Sequence, residues 1–206
     1  MTPHAENCRR IILDFLERTH LADRFPPRTA PPAVEAKVRE TVKSWKLDIT
    51  DEMANKYIVV GLDIGYAAYQ HTPHIVQIAM SLFTFCVTMF DDSVGVDAQA
   101  LQEFVPRICH GKPQLHPILT HLLECADMIT QQLPNYTANT IHSGLMAFVN
   151  EELSGRDDGY QIALKPDACT YIEYSRYKNG LPEPFAACIW PMSMCPDVNE
   201  YIQAFP

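Results

Sequence analysis

The sequence predicts an all-α fold, and three observations carry that reading. Prolines at positions 26, 27, 31, 32, 73, 106, 113, 117, 134, 166, 182, 184, 191 and 196 cut the chain into pieces of helical length. Within the pieces, apolar residues recur at a helical period. Nowhere does an alternating strand run into a tight hairpin turn.

Each element follows from the same reasoning. Residues 5–18, AENCRRIILDFLER, place Ile11, Ile12, Phe15 and Leu16 on one helical face. A proline-rich linker follows near 25–33, FPPRTAPP and the residue after it. Residues 33–46 form a polar amphipathic helix with Val34, Val38, Val42 and Trp45 in a stripe. The next helix, 50–70, opens with Thr50 three positions before Met53, a capping arrangement. It runs through Tyr57, Ile58, Gly61, Leu62, Gly65 and Tyr69. Further helices are predicted at 74–92, 98–110, 115–132, 136–155, 167–179 and 184–190, joined by short connections.

The 206 residues, 47% of them hydrophobic, suffice for one domain with a sizeable core, taken as 1–206. A formal net charge of −9 argues against a nucleic-acid partner or an anionic membrane surface. It leaves room for a phosphorylated substrate, because metal ions can mediate that contact. The seven cysteines, Cys8, Cys86, Cys109, Cys125, Cys169, Cys188 and Cys195, are scattered, with no CxxC pair. They read as reduced thiols in a cytoplasmic protein. The opening MTPHAENCRR lacks the basic-then-apolar shape of a signal peptide. The apolar stretch at 75–90 is interrupted by Gln77, Ser81 and Thr84, so a buried helix is expected and no transmembrane segment.

The chemistry is concentrated in FTFCVTMFDDSVGVD, residues 83–97. An uncharged helix ends in Asp91 and Asp92, two carboxylates that repel each other unless a cation or a basic group intervenes. Mg²⁺ takes oxygen ligands and keeps several waters, so one or two carboxylates plus substrate phosphates make a site. A solvated turn is the plain alternative, since Ser93, Gly95 and Asp97 are turn residues. The Asp-x-Asp phosphatase arrangement of haloacid dehalogenases is excluded, because the acids stand at i and i+1.

Two later stretches add to this one: LQEFVPRICHGKPQLHPIL and YIEYSRYKNGLPEPFAACIWP. In order and spacing, the run from about residue 80 to 206 resembles fungal sesquiterpene cyclases of the trichodiene synthase type. The shared features are the Asp-Asp-Ser at a helix end, the Gly-x-x-x-x-His-Pro segment (Gly111 to Pro117), and an arginine before Asn-Gly and a small-residue helix ending in Trp-Pro. The last is matched by Arg176, Asn179, Gly180, Trp190 and Pro191. Residues 1–70 are less distinctive.

The resemblance implies a class I terpenoid helical bundle around an apolar cavity. It implies a Mg²⁺-dependent cyclase that ionises farnesyl diphosphate, with three Mg²⁺ ions holding the diphosphate. Asp91 is the expected direct metal ligand, with Asp92 supporting it or paired with a basic group. Arg176 matches the diphosphate-sensing arginine, with Lys178 and Asn179 beside it in substrate binding. Gly180 falls at a helix break whose carbonyls can face a developing cation. Phe83, Phe90 and Tyr57 are the aromatic candidates for the cavity wall, with Tyr66 and Phe148 also on the helices that would line it. Outside that resemblance, Arg176 reads as a salt bridge to Glu173, Gly180 as a C-cap, and the aromatics as core.

The chain also departs from the pattern. No third acid follows Asp91 at three or four residues, and Asp97, six residues on, lies off the Asp91 face of a continuous helix. The second metal motif, Asn-Asp-x-x-Ser-x-x-x-Glu after the Trp-Pro segment, is not found. Asn150, Ser154 and Asp158 in NEELSGRDD imitate its spacing but precede Arg176, and Gly155 weakens their helix; coincidence is the preferred reading. The expectation is therefore the N-terminal portion of a cyclase, completed by a C-terminal chain or paired with a second copy. The rival is a non-catalytic helical relative that binds an apolar ligand or a partner. A chain-elongating prenyltransferase is disfavoured by the lack of a second Asp-rich motif.

Overall fold

The computed structural model describes residues 3–19, 29–92, 96–154 and 170–204. These residues form an all-α bundle, with no strand among them. We number the helices α1 Pro3–Thr19, α2 Pro32–Trp45, α3 Asp51–Ala67, α4 His74–Asp91, α5 Ala98–Cys109, α6 Pro117–Thr130, α7 Asn135–Ser154, α8 Tyr171–Lys178 and α9 Pro182–Ala187. Two single-turn 3₁₀ helices follow, Val198–Glu200 and Ile202–Ala204.

Proline spacing translates directly into helix starts. Pro32, Pro117 and Pro182 each stand in the first turn of a helix, where a missing N–H costs nothing. Side chains cap α3 and α5, and α6 as well. Thr50 Oγ1 accepts from the Met53 backbone N–H at 3.2 Å, Asp97 Oδ1 from Ala100 N–H at 2.7 Å, and His116 Nδ1 from Ile118 N–H at 3.2 Å. Pro106 falls inside α5 rather than ending it, and the helix runs on to Cys109.

Helix α4 is the central element. It packs against α2, α3 and α6, and Phe83, Phe85, Leu82, Met80 and Phe90 are at most 1% exposed. By length and composition α4 could cross a membrane, but 72% of it is buried inside the fold. Each fully buried Leu or Phe on it contributes roughly 1.5–3 kcal/mol. Helices α3 and α4 make the most extensive contact. There Gly61 and Gly65 lie against Ser81, leaving no room for a Cβ at either position. The predicted valine stripe of α2 is buried, with Val34 at 1%, Val38 at 0% and Val42 at 5% exposure.

Helix α1 forms where expected, but its apolar face is not covered by other described residues. Ile11, Ile12, Leu13 and Phe15 are each more than half exposed. Six of the seven cysteines lie among the described residues, and none of the six is in a disulfide.

Candidate functional site

Asp91 is the last residue of α4 and Asp92 is its C-cap. Both are exposed, at the foot of a helix that is otherwise almost wholly buried. The negative end of the helix macrodipole falls here and adds to the attraction for a cation. The two carboxylates are treated differently by their surroundings. Asp92 Oδ2 accepts from Lys56 Nζ at 2.6 Å and from the Tyr57 hydroxyl at 2.9 Å. Those two donors hold the Asp92 carboxyl below its ordinary range, Lys56 contributing most, and the pairing in turn raises Lys56. Asp91 has no hydrogen-bond or ion-pair partner among the described residues. Asp92 is thus paired with a basic group, from α3.

Tyr57 joins this surface to the core. Its ring is 2% exposed and meets Phe85 edge-on at 6.1 Å, while the Lys56 ammonium lies 4.9 Å from its centre. Burial is the first cause raising its hydroxyl above the ordinary value, so it stays a donor. Asp97 serves as the N-cap of α5, a sufficient reason for an acid at that position without any ligand role.

The other predicted residues cluster around α7. Phe90, next to Asp91, packs edge-on against Phe148 at 6.2 Å. One turn further along α7, Glu151 accepts a hydrogen bond from Ser175, the neighbour of Arg176. The C-terminal end of α4 and the middle of α8 therefore meet the same last turns of α7. Arg176 is exposed and has no ion-pair partner among the described residues, so the alternative salt bridge to Glu173 is not formed. It borders a depression shared with Glu151, Ser175, Asn179 and Pro182. Lys178 lies over the rings of Tyr174 and Tyr177, at 5.7 and 5.8 Å. A groove of about 680 Å³ between α5, α7 and α8 runs past Val105, Met146, Asn150, Tyr174 and Lys178.

Gly180 follows Asn179, the C-cap of α8, with φ +73°. That left-handed backbone suits glycine after a helix end. The break also makes a close crossing, because a Cβ on Gly180 would sit 2.2 Å from the Gly144 carbonyl oxygen. The Gly180 carbonyl in turn lies against Gly144 of α7, so its oxygen is turned into the helix contact.

The aromatic candidates sit in packed core. Phe83 is 0% exposed with Phe185 edge-on at 5.9 Å, and Phe90 is 1% exposed against Phe148. Each of the two rings packs against another ring. In the imitation motif, Asn150 is exposed and Ser154 Oγ donates to the Glu151 carbonyl at 2.7 Å. Asp158 lies outside the described residues. Lys56 was not among the sequence candidates. The signal that could have found it is the short 68–73 connection, which makes α3 and α4 antiparallel and brings the start of one toward the end of the other.

Among the described residues no three His, Cys, Asp or Glu side chains converge as a metal cage. The donor set still fits Mg²⁺, because Asp91 offers an exposed carboxylate with no partner among the described residues and Mg²⁺ needs only one or two beside phosphate and water.

No family model matches the chain. It is 28% identical over 201 residues to monoterpene synthase 25 of Postia placenta, covering 97% of this chain and 59% of that protein. Terpene synthase BipA of Cochliobolus sativus is 27% identical over 176 residues, 85% of this chain and 54% of its own. An alpha-cuprenene synthase of Coprinopsis cinerea is 24% identical over 200 residues, 96% and 61% respectively. The chain thus spans 54–61% of the length of these relatives.

Proposed function

We propose that this relative of the fungal terpene synthases supplies the metal-binding wall of an enzyme that ionises and cyclises an isoprenoid diphosphate, farnesyl diphosphate foremost. The carrying observation is the Asp91 carboxylate, which has no partner among the described residues, at the end of a buried apolar helix, beside an Asp92 already held by Lys56 and Tyr57. The likeness to terpene synthases over nearly the whole chain supports it.

In this reading Asp91 would hold Mg²⁺. When bound, Mg²⁺ supplies the electrophilic pull that makes diphosphate a leaving group. The chain's own contribution is binding and orientation. The Arg176 guanidinium, on the helix that meets the same end of α7, takes phosphate oxygens through its planar fork. Lys178, half committed to the Tyr174 and Tyr177 faces, adds charge nearby. The packed rings of α4 make that side of the reaction space dry, which protects an allylic cation from water. Phe83 and Phe90 act here as rigid backing. The remaining cavity wall comes from outside these residues, in a further stretch of the same protein or in a second chain.

A C10 substrate is the second reading, favoured by the name of the Postia relative, a monoterpene synthase. Incubating the protein with geranyl or farnesyl diphosphate and Mg²⁺, then resolving the organic extract by gas chromatography, tests both. Hydrocarbon product from either substrate that disappears in chelator supports the reading. Product that persists undiminished in chelator sinks the metal role, and no product from either substrate with the completing stretch or chain present favours the non-catalytic alternative.

A further inference from the structure

Helix α8 has eight residues, too few to hold a helix in water unaided. Its orientation therefore comes from what it is tied to. Tyr171 and Ser175 are half-buried, as is Asn179 at the C-cap, while Glu173, Tyr174, Arg176, Tyr177 and Lys178 are exposed. The three half-buried residues stand four apart, on one stripe. From the middle of that stripe the Ser175 hydroxyl donates to the Glu151 carboxylate of α7. Past the C-cap, Gly180 lies against Gly144. Gly144 and Glu151 are two turns apart on one face of α7, so α8 and its exit meet α7 at two points. Two points fix both the direction of α8 and its rotation about its own axis. Arg176, the residue after Ser175, points about 100° away from the stripe. It borders a depression that Glu151 also lines, yet Ser175 engages the Glu151 carboxylate and Arg176 has no ion-pair partner among the described residues.

We propose that Ser175 and Glu151 are positioning residues for Arg176. Their hydrogen bond sets the rotation of α8 that presents the guanidinium to an anion, and it keeps Glu151 from neutralising that guanidinium. The inference rests on the proposed function, because it takes the anion to be the diphosphate of the substrate. Untied, α8 can turn, and a loose carboxylate beside Arg176 competes with phosphate oxygens for the planar fork. Tied to a hydroxyl, the same carboxylate is committed elsewhere.

Ser175→Ala removes the tie and leaves the carboxylate in place. Titrating inorganic diphosphate into the full chain in the presence of Mg²⁺, followed by calorimetry, should show affinity lower by roughly tenfold, the scale of one hydrogen bond to a charged group. Ser175→Thr keeps the hydroxyl and should restore most of that loss. Arg176→Ala should weaken binding by itself, and Ser175→Ala added to it should cost nothing further, because the effect acts through Arg176. Unchanged affinity in Ser175→Ala overturns the proposal, as does a loss that Ser175→Thr fails to restore or one that persists in the Arg176→Ala background. The two levels separate in the same titration. Weaker binding in Arg176→Ala with none in Ser175→Ala defeats only the positioning role. Unaltered binding in Arg176→Ala, or no binding by the unmodified chain, defeats the diphosphate assignment of Arg176 and the proposal with it.

Discussion

Replacing Gly180 by alanine should destabilise the fold by two separable routes. At φ +73° an alanine pays about 1 kcal/mol for the left-handed backbone. Its Cβ would also stand 2.2 Å from the Gly144 carbonyl oxygen and 2.7 Å from the Ala147 Cβ. Backbone of a packed helix cannot step aside as a flexible side chain can, so α7 and α8 must separate. Overpacking of this kind costs about 1–3 kcal/mol. Gly111 is the internal control, because its φ is +61° but nothing lies within 4 Å of a Cβ built there. Gly111→Ala should lose about 1 kcal/mol and Gly180→Ala about 3 kcal/mol. In a domain of this size those losses lower the melting temperature by about 2–4 °C and 6–12 °C. Thermal unfolding of both variants, followed by circular dichroism, reads the difference. Equal losses in the two variants would refute the close crossing of α7 and α8, and with it the path that brings Arg176 to the last turns of α7.

Three other outcomes follow from the same geometry. Phe90→Ala should lose about 3–5 kcal/mol in chemical unfolding, because Phe90 is core against Phe148; an altered product spectrum at nearly unchanged stability would instead make it cavity wall. Asp97→Ala should cost about 1 kcal/mol through the lost cap and leave the Mg²⁺ requirement unmoved, and a raised Mg²⁺ requirement would return Asp97 to the ligand set. The Lys56–Asp92 pair has a pH window. The folded pKa of Asp92 is lowered, so its stabilisation is present above the unfolded value near ~3.9 and is lost as pH falls through the folded value; that of Lys56 is raised, so its share is present below ~10.4 and lost as pH rises through the folded value. The stability difference between the unmodified protein and Lys56→Met should therefore be flat at neutral pH and shrink at both extremes, and a difference that vanishes near pH 7 would contradict the pairing.

Much of the architecture was legible because it is local. Prolines mark the starts of α2, α6 and α9, Thr50 caps α3, and the period of Val34, Val38 and Val42 reports a buried face. Periodicity gave α1 an apolar face too, but cannot say whether anything covers it. The site was legible only in part. Asp91 and Asp92 stand out because charge interrupts an apolar run, yet their different fates depend on Lys56 and Tyr57, 36 and 35 residues from Asp92 along the chain. Only the antiparallel course of α3 and α4 brings them together. The aromatics illustrate the converse. Phe83 and Phe90 share a face of α4, but Phe185 and Phe148 arrive from α9 and α7 to cover them, which helical spacing within one segment cannot reveal.

The most direct test is the rate of diphosphate release from farnesyl diphosphate in a single turnover, measured across a range of Mg²⁺ for the unmodified protein and for Asp91→Asn. A neutral amide is a poor Mg²⁺ ligand, so release should slow by roughly a hundredfold or more and recover only partly at high Mg²⁺. Release by Asp91→Asn at the unmodified rate and the unmodified Mg²⁺ dependence would contradict the account at its centre.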